Sequence, residues 1–75
     1  MEIKEFIEKI ADAIEVEDVE SLKPLTVFKD LEEWSSLSVM LLIAFYDDEF
    51  DKELTPAKIR EAKTIQDLYN IAIAQ

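Results

Sequence analysis

Apolar residues recur along this chain in blocks with helical spacing, and polar stretches separate the blocks. Ile3, Phe6, Ile7, Ile10 and Ile14 follow one another at intervals of three and four with Glu and Lys between them, which predicts a first amphipathic helix. From Val16 to Trp34 the period breaks, and Pro24 and several carboxylates interrupt the apolar residues Val19, Leu22, Leu25, Phe28 and Leu31. These five predict an ordered loop anchored to a core. A second helix is predicted to begin at Ser35 or Ser36, where a serine caps well, and to run to about Phe50. With Ser35 as cap, Trp34 and Val39 take the positions of a hydrophobic staple. Thr55-Pro56 starts a short third helix carrying Ile59 and Ala62. Thr64, with Asp67 three residues later, starts a fourth whose stripe is Ile65, Leu68, Ile71 and Ala72. The chain has no glycine for the tight turns of an antiparallel sheet. The expectation is an all-α, four-helix single domain over residues 1–75, with a long loop between helices one and two and a short third helix.

The second helix is apolar on two sides. At about 100° per residue, Val39, Leu42, Ile43, Tyr46 and Phe50 share a core face. Leu37, Leu41, Ala44 and Asp48 lie nearly opposite, with Met40 and Phe45 on the flanks. Either the helix is central and the loop covers its second face, or that face is a binding patch, since monomers rarely expose contiguous apolar area without a use. Asp47, Asp48, Glu49 and Asp51 would rim such a patch, and no basic residue occurs between Lys29 and Lys52. An apolar centre with an acidic rim suits partners that present an apolar spot inside a basic ring.

Charge narrows the partners further. Eight basic against 18 acidic residues give a formal charge of −10, which disfavours nucleic acid and anionic membrane surfaces. The opening residues carry no signal-peptide pattern, and the longest apolar run, Val39 to Tyr46, is too short to span a bilayer. A soluble, cytoplasmic protein is expected, and the absence of cysteine suits a reducing compartment.

Ser36 is the residue that draws attention. The chain contains no His and no Cys, so no neighbouring imidazole activates a serine hydroxyl. Taken alone, Ser36 reads as a helix-capping serine. Asp47 and Asp51 lie one turn apart, but such pairs ordinarily form a solvated face, and the carboxylates here lack the glycine of a calcium loop. Neither an enzyme nor a metal protein is expected.

The chain resembles the acyl carrier proteins over almost its whole length. The resemblance is carried by Phe28-Lys29-Asp30-Leu31-Glu32-Glu33-Trp34-Ser35-Ser36-Leu37, the helix ending in Asp47-Asp48-Glu49-Phe50, then Leu54-Thr55-Pro56 and Lys63-Thr64-Ile65-Gln66-Asp67-Leu68. It implies an acyl-carrier-like bundle and covalent 4′-phosphopantetheine on the serine of an Asp-Ser-Leu motif, a place taken by Ser36 with Ser35 as second choice. The arm's thiol would hold acyl groups that a cysteine-free chain cannot hold itself. Its phosphodiester would sit at a helix N-terminus, which favours an anion.

Three departures stand out: Ser35 replaces the acidic residue before the serine, the preceding glycine is missing, and Ser38 and Leu41 replace acidic residues on the partner side. The resemblance further implies a monomeric carrier served by a phosphopantetheinyl transferase and by acyl-chain synthesis or transfer enzymes of fatty acid or polyketide type with basic docking patches. Leu37, Ser38, Met40, Leu41, Phe45 and Asp48 would meet these partners, and Ile43, Tyr46, Ile59, Ala62 and Leu68 would surround an acyl chain. The alternatives are a carrier of aminoacyl groups and an unmodified acidic helical interaction module.

Overall fold

Four helices make the framework of the chain: α1 (Ile3–Ala13), α2 (Ser36–Phe50), α3 (Pro56–Glu61) and α4 (Ile65–Ile73). The computed structural model describes residues 1–74. No strand forms among them; the one β-type contact is an isolated antiparallel bridge between Val27 and Thr64.

The helix starts follow the expected caps. Thr55 Oγ1 accepts from the Lys58 N–H at 3.3 Å, with Pro56 in the first helical position. At α4 the Asp67 N–H donates to Thr64 Oγ1 (3.2 Å), while an Asp67 carboxylate oxygen accepts from the N–H groups of Thr64 (3.1 Å) and Lys63 (2.9 Å). Those backbone donors hold the Asp67 carboxyl below its ordinary value of 3.8. The helix ends are less ordinary. Glu15 (φ 61°) after α1 and Asp51 (φ 53°) after α2 adopt the left-handed conformation, which glycine usually takes. In each case the next residue reaches back to the helix, Val16 N–H to the Ala11 carbonyl (2.8 Å) and Lys52 N–H to the Tyr46 carbonyl (3.2 Å). Val16 is itself buried, supplying the apolar contact that accompanies such a helix end.

The core lies where α1, α2 and α4 meet. Phe6, fully buried on α1, has its ring 6.2 Å from Phe45, 6.3 Å from Tyr46 and 6.1 Å from Phe50 on α2, and 5.4 Å from Tyr69 on α4. Leu42, Ile65 and Leu68 close round this cluster, and Ile59 and Ala62 bring α3 onto it. The buried Tyr46 hydroxyl donates to the Leu68 carbonyl, and burial pushes its pKa up from 10.0.

The connection between α1 and α2 is ordered by two 3₁₀ turns, Val19–Ser21 and Phe28–Asp30. Leu22 and Phe28 are buried, and Val19, Leu31 and Trp34 pack against the core, Trp34 with its ring 5.0 Å from that of Phe28. Leu25 departs from its expected role as an anchor. It is 79% exposed, because it stands at the tip of a turn closed by the Thr26 N–H on the Lys23 carbonyl (3.0 Å).

Candidate functional site

The site is built at the N-terminus of α2. Ser35, in extended conformation, is the N-cap, and Ser36 is the first helical residue. The Ser35 N–H donates to Ser38 Oγ at 3.0 Å, and the Ser38 N–H donates to the Ser35 carbonyl at the same distance. Ser38 thus performs the backward-reaching half of a capping box. It is 2% exposed and does not reach the surface, which corrects its expected place among the partner contacts. The reason is local. A small hydroxyl side chain fits beneath the turn entering the helix and satisfies a donor there.

Ser36 takes no part in that cap, and it is exposed. No acidic residue lies in the first turn of α2, and no charged side chain occurs from Trp34 through Tyr46. The nearest carboxylates in sequence are Glu32 and Glu33, both exposed on the preceding turn. An anion esterified to Ser36 Oγ would meet unpaired backbone N–H groups and the positive end of a 15-residue helix, with no carboxylate inside that turn. The donor set therefore fits a phosphodiester.

Along α2 the two faces separate less cleanly than the wheel implies. Leu42 and Tyr46 are fully buried, and Val39, Ile43 and Phe50 pack against the core, as expected of the core face. Opposite them, Leu37 is 55% and Met40 66% exposed, and Ala44 and Asp48 are exposed as well, so the loop does not cover this strip. Leu41 and Phe45 belong elsewhere. Both are half-buried against the core, Phe45 drawn in by the aromatic cluster around Phe6, and each offers a partner only an edge. The exposed strip ends in Asp47, Asp48 and Glu49, where Glu49 pairs with Lys9 across to α1 at 3.2 Å.

The residues expected around an acyl chain do not line one cavity. Ile59 and Leu68 are buried in the packed core. Tyr46 and Ala62 form part of the wall of an open groove of about 580 Å³, whose other walls include Lys52, Asp67, Asn70 and Ile71. Ile43 instead faces a second groove of about 440 Å³ beside α2, shared with Met40, Ala44 and Asp47. Met40 therefore links the exposed strip to a concavity, a connection that helical periodicity alone does not contain.

No helix among the described residues is long and apolar enough to cross a membrane. No family model matches the chain, and neither a curated protein nor a solved structure matches it.

Proposed function

We propose that this chain is an acyl carrier protein in which Ser36 holds 4′-phosphopantetheine. One observation supports the reading above others: Ser36 stands exposed as the first residue of α2 while Ser35 and Ser38 form the capping box, so the Ser36 hydroxyl is free for esterification. A phosphopantetheinyl transferase would join Ser36 Oγ to the phosphate of the pantetheine arm as the pyrophosphate bond of coenzyme A breaks. The serine proton would leave to a base on the transferase, because the chain has no histidine or cysteine to accept it. The arm supplies the thiol on which acyl groups are carried as thioesters.

The chain's own residues do the rest. The N–H groups of the first turn of α2 favour the phosphodiester, and Leu37 and Met40 offer apolar contact to transferase and acyl-processing enzymes. Asp47 and Asp48 attract basic rims on those enzymes. Sheltering an acyl chain would require α2, α3 and α4 to part around Ile43, Tyr46, Ile59, Ala62 and Leu68, beginning from the groove beside Tyr46 and Ala62.

Intact-protein mass spectrometry after co-expression with a broad-specificity transferase tests the proposal. The wild-type chain gains one phosphopantetheine and Ser36→Ala gains none. Loading of Ser36→Ala, or an unmodified wild-type chain, overturns it. Peptide mapping to Ser35 would move the attachment by one residue. An unmodified chain that still binds a basic partner through Leu37 and Met40 would favour the interaction module instead.

A further inference from the structure

One buried hydroxyl grips the chain on both sides of Trp34, immediately before Ser36. Ser38 Oγ accepts from the Ser35 N–H at 3.0 Å and donates to the Glu33 carbonyl at a longer 3.5 Å. A serine oxygen can do both at once, because its hydrogen and its lone pairs serve different partners. Trp34 is held separately, its N–H donating to the Leu31 carbonyl at 3.0 Å and its ring packed on Phe28. Glu33-Trp34-Ser35 contains no proline to preset its backbone, so its direction into α2 rests on these bonds and on the Trp34 contact.

Ser36 is the next residue, and its exposed hydroxyl takes no part in the cap. Its Oγ can occupy only staggered positions about the Cα–Cβ bond, so the backbone decides where in space those positions lie. Phosphoryl transfer is demanding of that placement. The attacking oxygen must lie in line with the phosphorus and the leaving oxygen, and a displacement of about 1 Å can cost about a hundredfold in rate.

We propose that Ser38 is a positioning residue for the esterification of Ser36, its hydroxyl setting the backbone from which Ser36 Oγ is presented to the transferase. The inference rests on the reading of Ser36 as the phosphopantetheine site. Ser38 is 2% exposed, so a transferase docked on the surface does not touch it, and its effect passes through the Ser35 N–H and the Glu33 carbonyl. In the transfer the Ser36 Oγ–P bond forms as the pyrophosphate bond of coenzyme A breaks and adenosine 3′,5′-bisphosphate leaves. The serine proton goes to the base on the transferase, and Ser38 keeps its own throughout. Removing the Ser38 hydroxyl therefore lowers kcat rather than raising KM, because the strip at Leu37 and Met40 is unchanged while the geometry of attack is loosened.

Steady-state loading of the chain by a broad-specificity transferase with coenzyme A tests this, at a temperature where every variant is folded by circular dichroism. Ser38→Ala loses about tenfold in kcat with KM within about twofold of wild type, and Ser38→Thr, which keeps a hydroxyl, recovers most of the loss. Ser38→Cys fills nearly the same space with a poorer acceptor and falls toward Ser38→Ala. Thr64→Ala removes a cap of the same kind from α4, melts lower by a similar margin, and loads at the wild-type kcat. An unchanged kcat in Ser38→Ala, a loss confined to KM, a Ser38→Cys chain as fast as wild type, or an equal loss in Thr64→Ala overturns the inference. A wild type that takes up no phosphopantetheine overturns the carrier reading and this inference with it, whereas a wild type that loads beside an equally fast Ser38→Ala overturns this inference alone.

Discussion

The Tyr46 hydroxyl donates to the Leu68 carbonyl, so the most buried side of α2 is tied to the backbone of α4 by a polar bond inside an apolar core. The bond satisfies a buried hydroxyl and joins the two helices at this point. Tyr46→Phe keeps the ring and removes the tie, and is expected to lower stability by about 1 kcal/mol, or Tm by about 4–8 °C for a domain of this size. Burial raises the Tyr46 pKa above its ordinary 10.0, so the folded state holds the proton more tightly than the unfolded state. That contribution is complete below pH 10.0 and is lost as the pH rises toward the higher folded value. The difference in Tm between wild type and Tyr46→Phe should therefore narrow in alkali, which thermal melts across that range would measure.

Ser36 and Ser38 have separable duties. Ser38→Ala removes the acceptor for the Ser35 N–H and should cost about 1 kcal/mol in chemical denaturation, because a half-buried donor is left unpaired. Ser36→Ala touches no such bond and should stay within about 0.5 kcal/mol of wild type, while abolishing the mass gain on exposure to transferase and coenzyme A. Equal destabilisation by the two changes would show that Ser36, too, serves the cap.

Asp67 gives the fold an acid-sensitive joint at the start of α4. The N–H groups of Lys63 and Thr64 hold its folded pKa below 3.8, so the stabilisation is present above that value and lost as the pH falls through the lower folded one. Asp67→Asn should melt below wild type at neutral pH, and the two should converge as the pH falls through the lowered folded value of Asp67, below which both side chains are neutral. A gap that persists in acid would mean that shape, not charge, holds this joint.

Met40 stands out of the surface of α2 and borders the groove that Ile43 faces. Met40→Glu should leave Tm nearly unchanged, since the side chain is 66% exposed, yet slow phosphopantetheine loading about tenfold by removing an apolar contact worth about 1.4 kcal/mol. Steady-state kinetics of the transferase on the two chains would decide, with Ile73→Glu, another exposed apolar position, as the control expected to load normally.

Most of the helical framework was legible because its signals are local. Ser35, Thr55 and Thr64 cap from within three residues of the helix they start, and Pro56 is pre-set for the first turn, so sequence spacing contains the answer. Positions settled by long-range packing were not legible. Leu25 looks like one more anchor in a regular series, but the backbone pairing of Pro24 and Thr26 with the α4 start turns it outward. Leu41 sits nearly opposite the core and Phe45 on the flank of an ideal wheel, yet both pack half-buried against the core, Phe45 with its ring beside that of Phe6 on α1. Ser38 is small and polar, which reads as surface, and only the geometry of the preceding turn shows why it is inside. A serine cap at Ser35 or Ser36 is legible in the sequence, and Ser35 takes it; that Ser38 completes the capping box from inside is not.

Glu15 and Asp51 end their helices in a conformation that ordinarily costs a residue with a Cβ about 1–2 kcal/mol. From the side of the unfolded chain the absence of glycine has an opposite effect. Every residue that must settle into one backbone conformation starts from a narrower range than glycine would explore, so less entropy is surrendered on folding. Local strain at two helix ends is thereby offset by a denatured ensemble with fewer places to go. The reversals at the ends of α1 and α2 thus have fewer backbone conformations to turn to than glycine corners would have.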